Sequence, residues 1–363
     1  MKAGDQARKN QNYEEAVHWY RKAADQGSAQ AQTELGHQYR EGEGVPRDPS
    51  EALRWYLKAA EQGLAEAESE VGELYMGHRG IPENDAEALR WLRKAADQGD
   101  AIAEANIGLL YLRGQGVTQD DVQGASWLRK AADQGYAGAQ SSLGELYAEG
   151  RGEVQDFTEA LTWFRKGADQ GDALGQTGLG VMYLKGQAVK RDYAEALAWF
   201  RKAADQGNPE AQSAIGTMYS AGQGVDRDYA EALNWFRKAA DQGNAEAQGN
   251  IGRLYYFGHG VNRDYVKAMF WLRKSADQDD PTAQAAIGIL YENGQGVARD
   301  HAEAVRWYRK AADQGYPGGE YSVGIAYSRG DGVPRDMAEA RTWIAKAAAA
   351  GYQPAKQWLA AQQ

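Results

Sequence analysis

Histidine is the side chain most readily recruited for proton transfer and metal ligation near neutral pH, and the sequence holds five, at His18, His37, His78, His259 and His301. No two share the i, i+4 or short-loop spacing that puts two imidazoles on one metal ion. Cysteine is absent, which removes thiolate zinc sites, disulfides and a cysteine nucleophile together. Serines such as Ser141 and Ser142 have no base close by in the chain, so nucleophilic catalysis lacks its apparatus. Asp and Glu are plentiful, but most recur at a fixed interval, whereas a catalytic pair should break that regularity locally. These residues predict a non-enzyme with no cofactor and no metal.

Three recurring features invite sharper readings. Seven G-x-G loops, among them Gly114-Gln115-Gly116 and Gly294-Gln295-Gly296, resemble phosphate cradles, but they lack the preceding strand and third glycine of a dinucleotide site and the Lys-Ser/Thr of a Walker loop. Glycine's access to positive φ explains them as turns. A lysine ladder, from Lys22 and Lys58 through Lys166 to Lys346, is expected to complement helix C-terminal dipoles and nearby acids such as Asp25 and Asp97. Ten tryptophans from Trp19 to Trp343 are read as packing residues at helix seams, each costing about 3–5 kcal/mol if cut to alanine, rather than as a platform for sugars or bases.

These ladders share one interval and so expose the elements that carry them. Trp19, Trp55, Trp91 and their successors stand 36 residues apart, as do Gly36, Gly72, Gly108 and Tyr39, Tyr75, Tyr111 with theirs. A fixed period of that length marks a solenoid of stacked supersecondary units. In the unit from Asn208 to Gly243, Asn208 caps a helix A that opens on Pro209, runs over 209–221 and closes at Gly222. Asp228 caps a helix B that ends before Gly243. Ala211, Ile215, Met218 and Tyr219 make one apolar stripe and Ala232, Leu233, Phe236, Ala239 and Ala240 another. Neither helix can hide its stripe alone, so neighbouring units must stack. Glycine in mid-helix costs about 1 kcal/mol, so its return in the Gly36 series predicts close approach of helices.

The predicted fold is an all-α, α/α superhelical solenoid of 36-residue helix-turn-helix repeats. It is read as one array over 1–363, with a partial repeat at 1–27, nine full repeats over 28–351 and a capping helix at 352–363. Residues 1–11 look like a stub that leaves the helix around Trp19 without its full partner, as if the natural chain began further upstream. Trp358 and Leu359 are placed to close the last core. With 51 acidic against 41 basic residues and a net charge of −10, nucleic acid is a poor partner. No apolar run reaches the roughly 20 residues of a membrane helix, and a chain without cysteine leans toward an exported or periplasmic setting. The array is expected to act as a monomer.

The unit resembles the Sel-one-like repeat (SLR), a cousin of the tetratricopeptide repeat. The family pattern A-x-A-Q-x-x-I-G-x-M-Y-x-x-G-x-G-V-x-x-D-Y-x-x-A-x-x-W-F-x-K-A-A-x-x-G is met almost completely by Ala211–Gly243, and its first alanine, replaced here by Pro209, is supplied elsewhere by Ala29, Ala65, Ala101, Ala137, Ala173 and Ala245. The resemblance implies a right-handed superhelix of bacterial type that works as an adaptor. Some cysteine-rich relatives have been linked to β-lactam binding, which makes a hydrolase or small-molecule binder the alternative. The missing cysteines argue against it. An artificial consensus scaffold is a further alternative, against which Asp279-Asp280, Gly167 and the His78-Arg79-Gly80 loop speak as natural drift.

Repeats also permit an internal comparison: fixed positions build the scaffold and varying ones are free to specialise. The His37 series reads Glu73, Leu109, Glu145, Val181, Thr217, Arg253, Ile289, Ile325, and the Arg40 series Met76, Leu112, Ala148, Leu184, Ser220, Tyr256, Glu292, Ser328. With the Thr33 series, these lie opposite the Ala31, Leu35 and Tyr39 stripe and are expected on an exposed ribbon, which by resemblance would line the concave wall. Leu109, Leu112, Val181, Leu184, Arg253, Tyr256, Phe257, Ile289 and Ile325 are the candidate contacts for a partner protein or peptide, with Tyr256 and Arg253 as anchors. The plainer reading is that neighbouring A helices partly bury these side chains against one another.

Overall fold

Local sequence signals place the helices where they were expected. In the computed structural model, which describes residues 1–77 and 80–362, helix A of the reference unit runs Pro209–Ala221 and helix B Tyr229–Asp241. The Asn208 side chain accepts from the Ala211 N–H at 2.8 Å, and Asp228 accepts from Ala230 and Glu231 at 2.9 and 3.0 Å. Gly222 ends helix A at φ 70°. His78 and Arg79, and with them most of the irregular His78-Arg79-Gly80 loop, lie outside the described residues.

The chain forms two compact units, Met1–Lys190 and Arg191–Gln363. In the first, the A helices are α1 (Lys2–Lys9), α3 (Ala29–Glu41), α5 (Ala65–Tyr75), α7 (Ala101–Arg113), α9 (Ala137–Glu149) and α11 (Ala173–Lys185). They alternate with the B helices α2 (Tyr13–Ala24), α4 (Pro49–Ala60), α6 (Asp85–Asp97), α8 (Asp121–Asp133) and α10 (Phe157–Asp169). In the second, the A helices are α13 (Pro209–Ala221), α15 (Ala245–Phe257), α17 (Pro281–Asn293), α19 (Pro317–Arg329) and the short α21 (Gln353–Ala360). Its B helices are α12 (Tyr193–Asp205), α14 (Tyr229–Asp241), α16 (Tyr265–Ala276), α18 (His301–Asp313) and α20 (Met337–Ala349). There are no strands among the described residues. Within each unit every helix packs on its neighbours in sequence, and pairs of successive A helices touch as well, most extensively α9 and α11.

The Gly36 series is where the pairs meet. A Cβ on Gly36 would lie 2.5 Å from the Tyr56 ring, and one on Gly144 would lie 2.7 Å from Phe164, so the large B-helix side chain fills the space that glycine vacates. The same contact is made at the N-terminus over a shorter turn. Gly4 of α1 sits under Tyr20 as Gly36 sits under Tyr56, with a virtual Cβ 2.6 Å from the ring, and Ala7 is buried. The connection to α2 spans residues 10–12 where that from α3 to α4 spans 42–48. A turn four residues shorter thus gives α2 its packing partner from an eight-residue helix.

A second seam escaped the sequence reading. At the end opposite the glycine loop, in seven of the helix pairs, a glutamine near the C-terminus of helix B donates to a Gln or Glu near the start of helix A, as in Gln62 to Gln32 at 2.7 Å, Gln98 to Glu68 at 2.7 Å and Gln314 to Gln284 at 2.9 Å. Gln32 in turn donates to the Ala24 carbonyl of the preceding helix at 3.1 Å. The ladder stops at its C-terminal end: Glu320 is buried with Oε2 unpartnered, and Ala350 occupies the position that carries glutamine elsewhere. Burial accordingly raises the Glu320 pKa above the ordinary carboxylate value. Ala350→Gln is expected to stabilise this last pair by about 1 kcal/mol, read as a higher melting temperature near neutral pH and a smaller gain in the Glu320→Gln background.

The tryptophans line the seams as expected. Trp55, Trp91 and Trp163 are buried and the remainder of the ladder half-buried. Trp358 and Leu359 pack against the terminal cluster of Ile344, Ala347 and Ala355. The lysines have a closer partner than the helix dipole. Lys58, Lys166 and Lys202 hold their ammonium groups 3.7, 3.6 and 3.6 Å from the centres of Trp55, Trp163 and Trp199, and the other rungs repeat the pair at three-residue spacing. Each is a cation–π contact worth about 0.5–1 kcal/mol at such sites.

Candidate protein-binding surface on the A helices

Helix A carries two buried faces, not one, and this narrows the ribbon. The Thr33 series was expected on the exposed side, but Thr33, Ser69, Ala105, Ser141, Ser213 and Ala285 are buried. Ser141 shows why: its hydroxyl fills the space beside Gly167 on α10 and Gly175 on α11, 2.2 and 2.7 Å from where their Cβ atoms would lie. This series faces the following repeat, and the His37 and Arg40 series are left as the variable face.

In the first unit the candidate residues Leu109, Leu112, Val181 and Leu184 are half-buried. Leu112 lies across Gly124 of its partner helix, 2.6 Å from a virtual Cβ there, so part of its surface belongs to the core. The N-terminal end of the same face is ionic. Arg8 bonds Glu34, Arg40 bonds Glu70, and His37 stands between the two acids, 3.2 Å from Glu70 and 3.9 Å from Glu34. Burial works against a charged imidazole, but the carboxylates of Glu34 and Glu70 overrule it and lift the His37 pKa to about 9. Tyr136 joins this face from the N-cap of α9, where its ring folds back over Gly138. Partial burial, then the carboxylates of Glu73, Asp172 and Asp100, push its hydroxyl above the ordinary tyrosine value.

In the second unit Arg253 and Phe257 are exposed, Phe257 by 58%, and Ile289 is 38% exposed. Tyr256 and Ile325 are half-buried and pack on core clusters, Tyr256 against that of Met269 and Leu272 and Ile325 against that of Ile344. Exposure is therefore divided along the ribbon: Arg253, Phe257 and Ile289 are exposed, whereas Tyr256 is in part a core residue. The Tyr256 ring meets Phe257 and Tyr265 edge-on at 4.9 and 5.5 Å, and Phe257 stacks on His259, which stacks on Tyr229 at 4.5 Å. Arg253 is braced by the Asn250 side chain. Tyr316 at the N-cap of α19 repeats the arrangement of Tyr136, its ring over Gly318 and its hydroxyl within electrostatic reach of Arg253. The motif Tyr-x-Gly at the start of helix A, in Tyr136-Ala137-Gly138 and Tyr316-Pro317-Gly318, was the legible signal for these two rings.

Comparison with known proteins places this architecture. The Sel1 repeat family model matches ten consecutive segments, from residues 4–28 through 29–64 and onward to 317–352. Among solved structures, the protective antigen c5321 of uropathogenic Escherichia coli, which displays an SLR fold, is 37% identical over 94% of this chain and 73% of its own, with a TM-score of 0.67. A Sel1 repeat protein from Oxalobacter formigenes is 34% identical over 86% of this chain and 91% of its own, with a TM-score of 0.57. A Pyrococcus horikoshii signal-transduction ATPase with a tetratricopeptide repeat sensor shares the fold at 16% identity, covering 92% of this chain and 54% of its own, with a TM-score of 0.54. No curated protein matches. With ten matched repeats and two such relatives, the chain belongs to the Sel1 repeat family.

Proposed function

We propose that this chain holds a partner protein or peptide on the variable face of its A helices, the face that would form a concave wall. Sel1 repeat proteins are in general scaffolds for protein–protein interaction. The observation that carries the finer reading is the exposure of Phe257 and Ile289 beside the exposed Arg253, on a face of helix A whose residues change from repeat to repeat while the buried positions stay constant. Aromatic, aliphatic and guanidinium groups on a rigid support are the usual anchors of an interface. Leu109, Leu112, Val181 and Leu184 extend the same reading to the first unit.

The test is capture of the partner from the native organism, followed by titration against variants. Arg253→Glu combined with Ile289→Asp is expected to weaken binding at least tenfold without lowering the melting temperature, because both side chains are exposed. Arg306→Glu, at an exposed position on α18, serves as the control and is expected to leave affinity unchanged. The reverse pattern would move the surface to the B helices.

A further inference from the structure

A cavity of about 150 Å³ lies among α17, α18 and α19, beneath the variable face of the second unit. Drug-sized ligands occupy roughly 300–1,000 Å³, so this space suits one long side chain. Its walls are Tyr308, Tyr321, Ile325 and Val305, and its charged groups are the carboxylates of Glu292 and Asp331, with no lysine or arginine in the lining. Three of these residues break the repeat: Tyr321 is the only aromatic residue in the Thr33 series, Glu292 the only acid among the successors of Arg40, and Asp331 the only acid after Glu43 in its own.

The site has an internal brace. Buried Tyr308 donates its hydroxyl to Glu292 Oε2 at 2.7 Å, which fixes the carboxylate and leaves its other oxygen for a ligand. Burial and that bond both push the Tyr308 hydroxyl upward in pKa, so it stays a donor at any physiological pH. Ser322, His301 and Asp331 share the pocket, but among the described residues no hydrogen bond links serine to histidine or histidine to aspartate, and the arrangement reads as binding rather than hydrolysis.

We infer that this cavity is an anchor site for an arginine side chain of the bound polypeptide. The guanidinium lies between Glu292 and Asp331, and the methylene stem runs along Ile325 and Val305 with a tyrosine ring at hand for cation–π contact. Charge complementarity favours a basic occupant, because two acids with apolar walls and no lysine or arginine, His301 being the one titratable base in the lining, reject an acidic side chain; the planar guanidinium, able to bond two carboxylates at once, makes arginine the choice. The inference rests on the reading of the A-helix face as the docking surface and adds the chemistry of the partner.

The probe is N-acetyl-arginine-N′-methylamide, titrated into the full chain labelled at isoleucine and valine methyl groups, with the norleucine analogue and putrescine as comparisons. Saturable shifts of the Ile325 and Val305 signals are expected with the arginine probe. Affinity should fall at least tenfold for the norleucine analogue and at least tenfold in Glu292→Gln/Asp331→Asn, whose amides preserve shape and the Tyr308 bond. Absence of saturable shifts, equal binding of norleucine, or indifference to the loss of both carboxylates would overturn the proposal, as would tighter binding of putrescine, which would mark a site for free amines. The A-face reading fails separately, through the Arg253→Glu/Ile289→Asp variant.

Discussion

Gly216→Val is expected to destabilise its helix pair by about 3 kcal/mol or more, through overpacking of a core that has no room to give. A Cβ at Gly216 would lie 2.6 Å from Phe236 Cδ1 and 3.1 Å from the Ala232 carbonyl oxygen, and both neighbours are buried, with Phe236 at 2% exposure. The two further methyl carbons of valine have nowhere to go without parting α13 from α14. Gly243→Ala is the internal comparison. That glycine has φ +90° and nothing within 4 Å of a virtual Cβ, so only the backbone penalty of about 1–2 kcal/mol applies. Thermal unfolding should rank the two variants accordingly. Because each repeat contacts mainly its neighbours, hydrogen exchange should show the loss of protection centred on α13 and α14. Equal effects of the two substitutions would mean that the Gly216 seam is looser than its geometry.

The second large effect is a pH-dependent weakening of the N-terminal repeats. A histidine whose folded pKa is about 9 rather than the ordinary 6.5 contributes stability that is complete below pH 6.5 and is lost as pH rises to about 9. A shift of this size corresponds to about 3 kcal/mol before shielding by water, and the side chain is 19% exposed, so a loss on the order of 2 kcal/mol is expected. Glu34 and Glu70, both held below the ordinary carboxylate value with His37 bonds among the causes, act in the opposite sense and lose their contribution as pH falls through the acid range. Protection factors of α3 and α5 amides should therefore drop between pH 6.5 and 9, and His37→Gln should flatten that slope. A slope unchanged by the substitution would exclude the Glu34–His37–Glu70 cluster as its source.

Much of the fold was legible because the sequence marks its own boundaries. Asn208, Pro209, Gly222 and Asp228 bracket helices that the structure places at the same residues, and the Gly36 series announced a close approach that Tyr56 and Phe164 complete. What escaped has physical causes. Helical-wheel arithmetic assigns one apolar stripe, yet an A helix packed between two B helices and a neighbouring A helix needs a second, built from residues as small and polar as Thr33 and Ser141. A shortened turn hides from a period count, which is why the spacing alone did not place Gly4 under Tyr20. The lysine ladder was read through helix dipoles because Trp163 and Lys166 are not neighbours on paper, although three residues along a helix brings them to the same face.

The candidate surface was half legible. Variation along the His37 and Arg40 series singled out the proposed face, but sequence alone could not divide Tyr256, committed in part to the core, from Phe257 and Ile289, which are exposed. Nor could it find the cavity between Glu292 and Asp331, whose walls come from three helices and a loop. Both distinctions depend on how far a side chain is covered by the next repeat, which no single repeat encodes.

The claim that recognition belongs to the A helices is tested most directly by hydrogen exchange of the chain with and without its captured partner. Binding should slow exchange in α15, α17 and α19, and in α7 and α11 if the first unit takes part, while the exposed flanks of α14, α16 and α18 stay as they were. Protection concentrated on those B helices, with the A helices unchanged, would contradict the account.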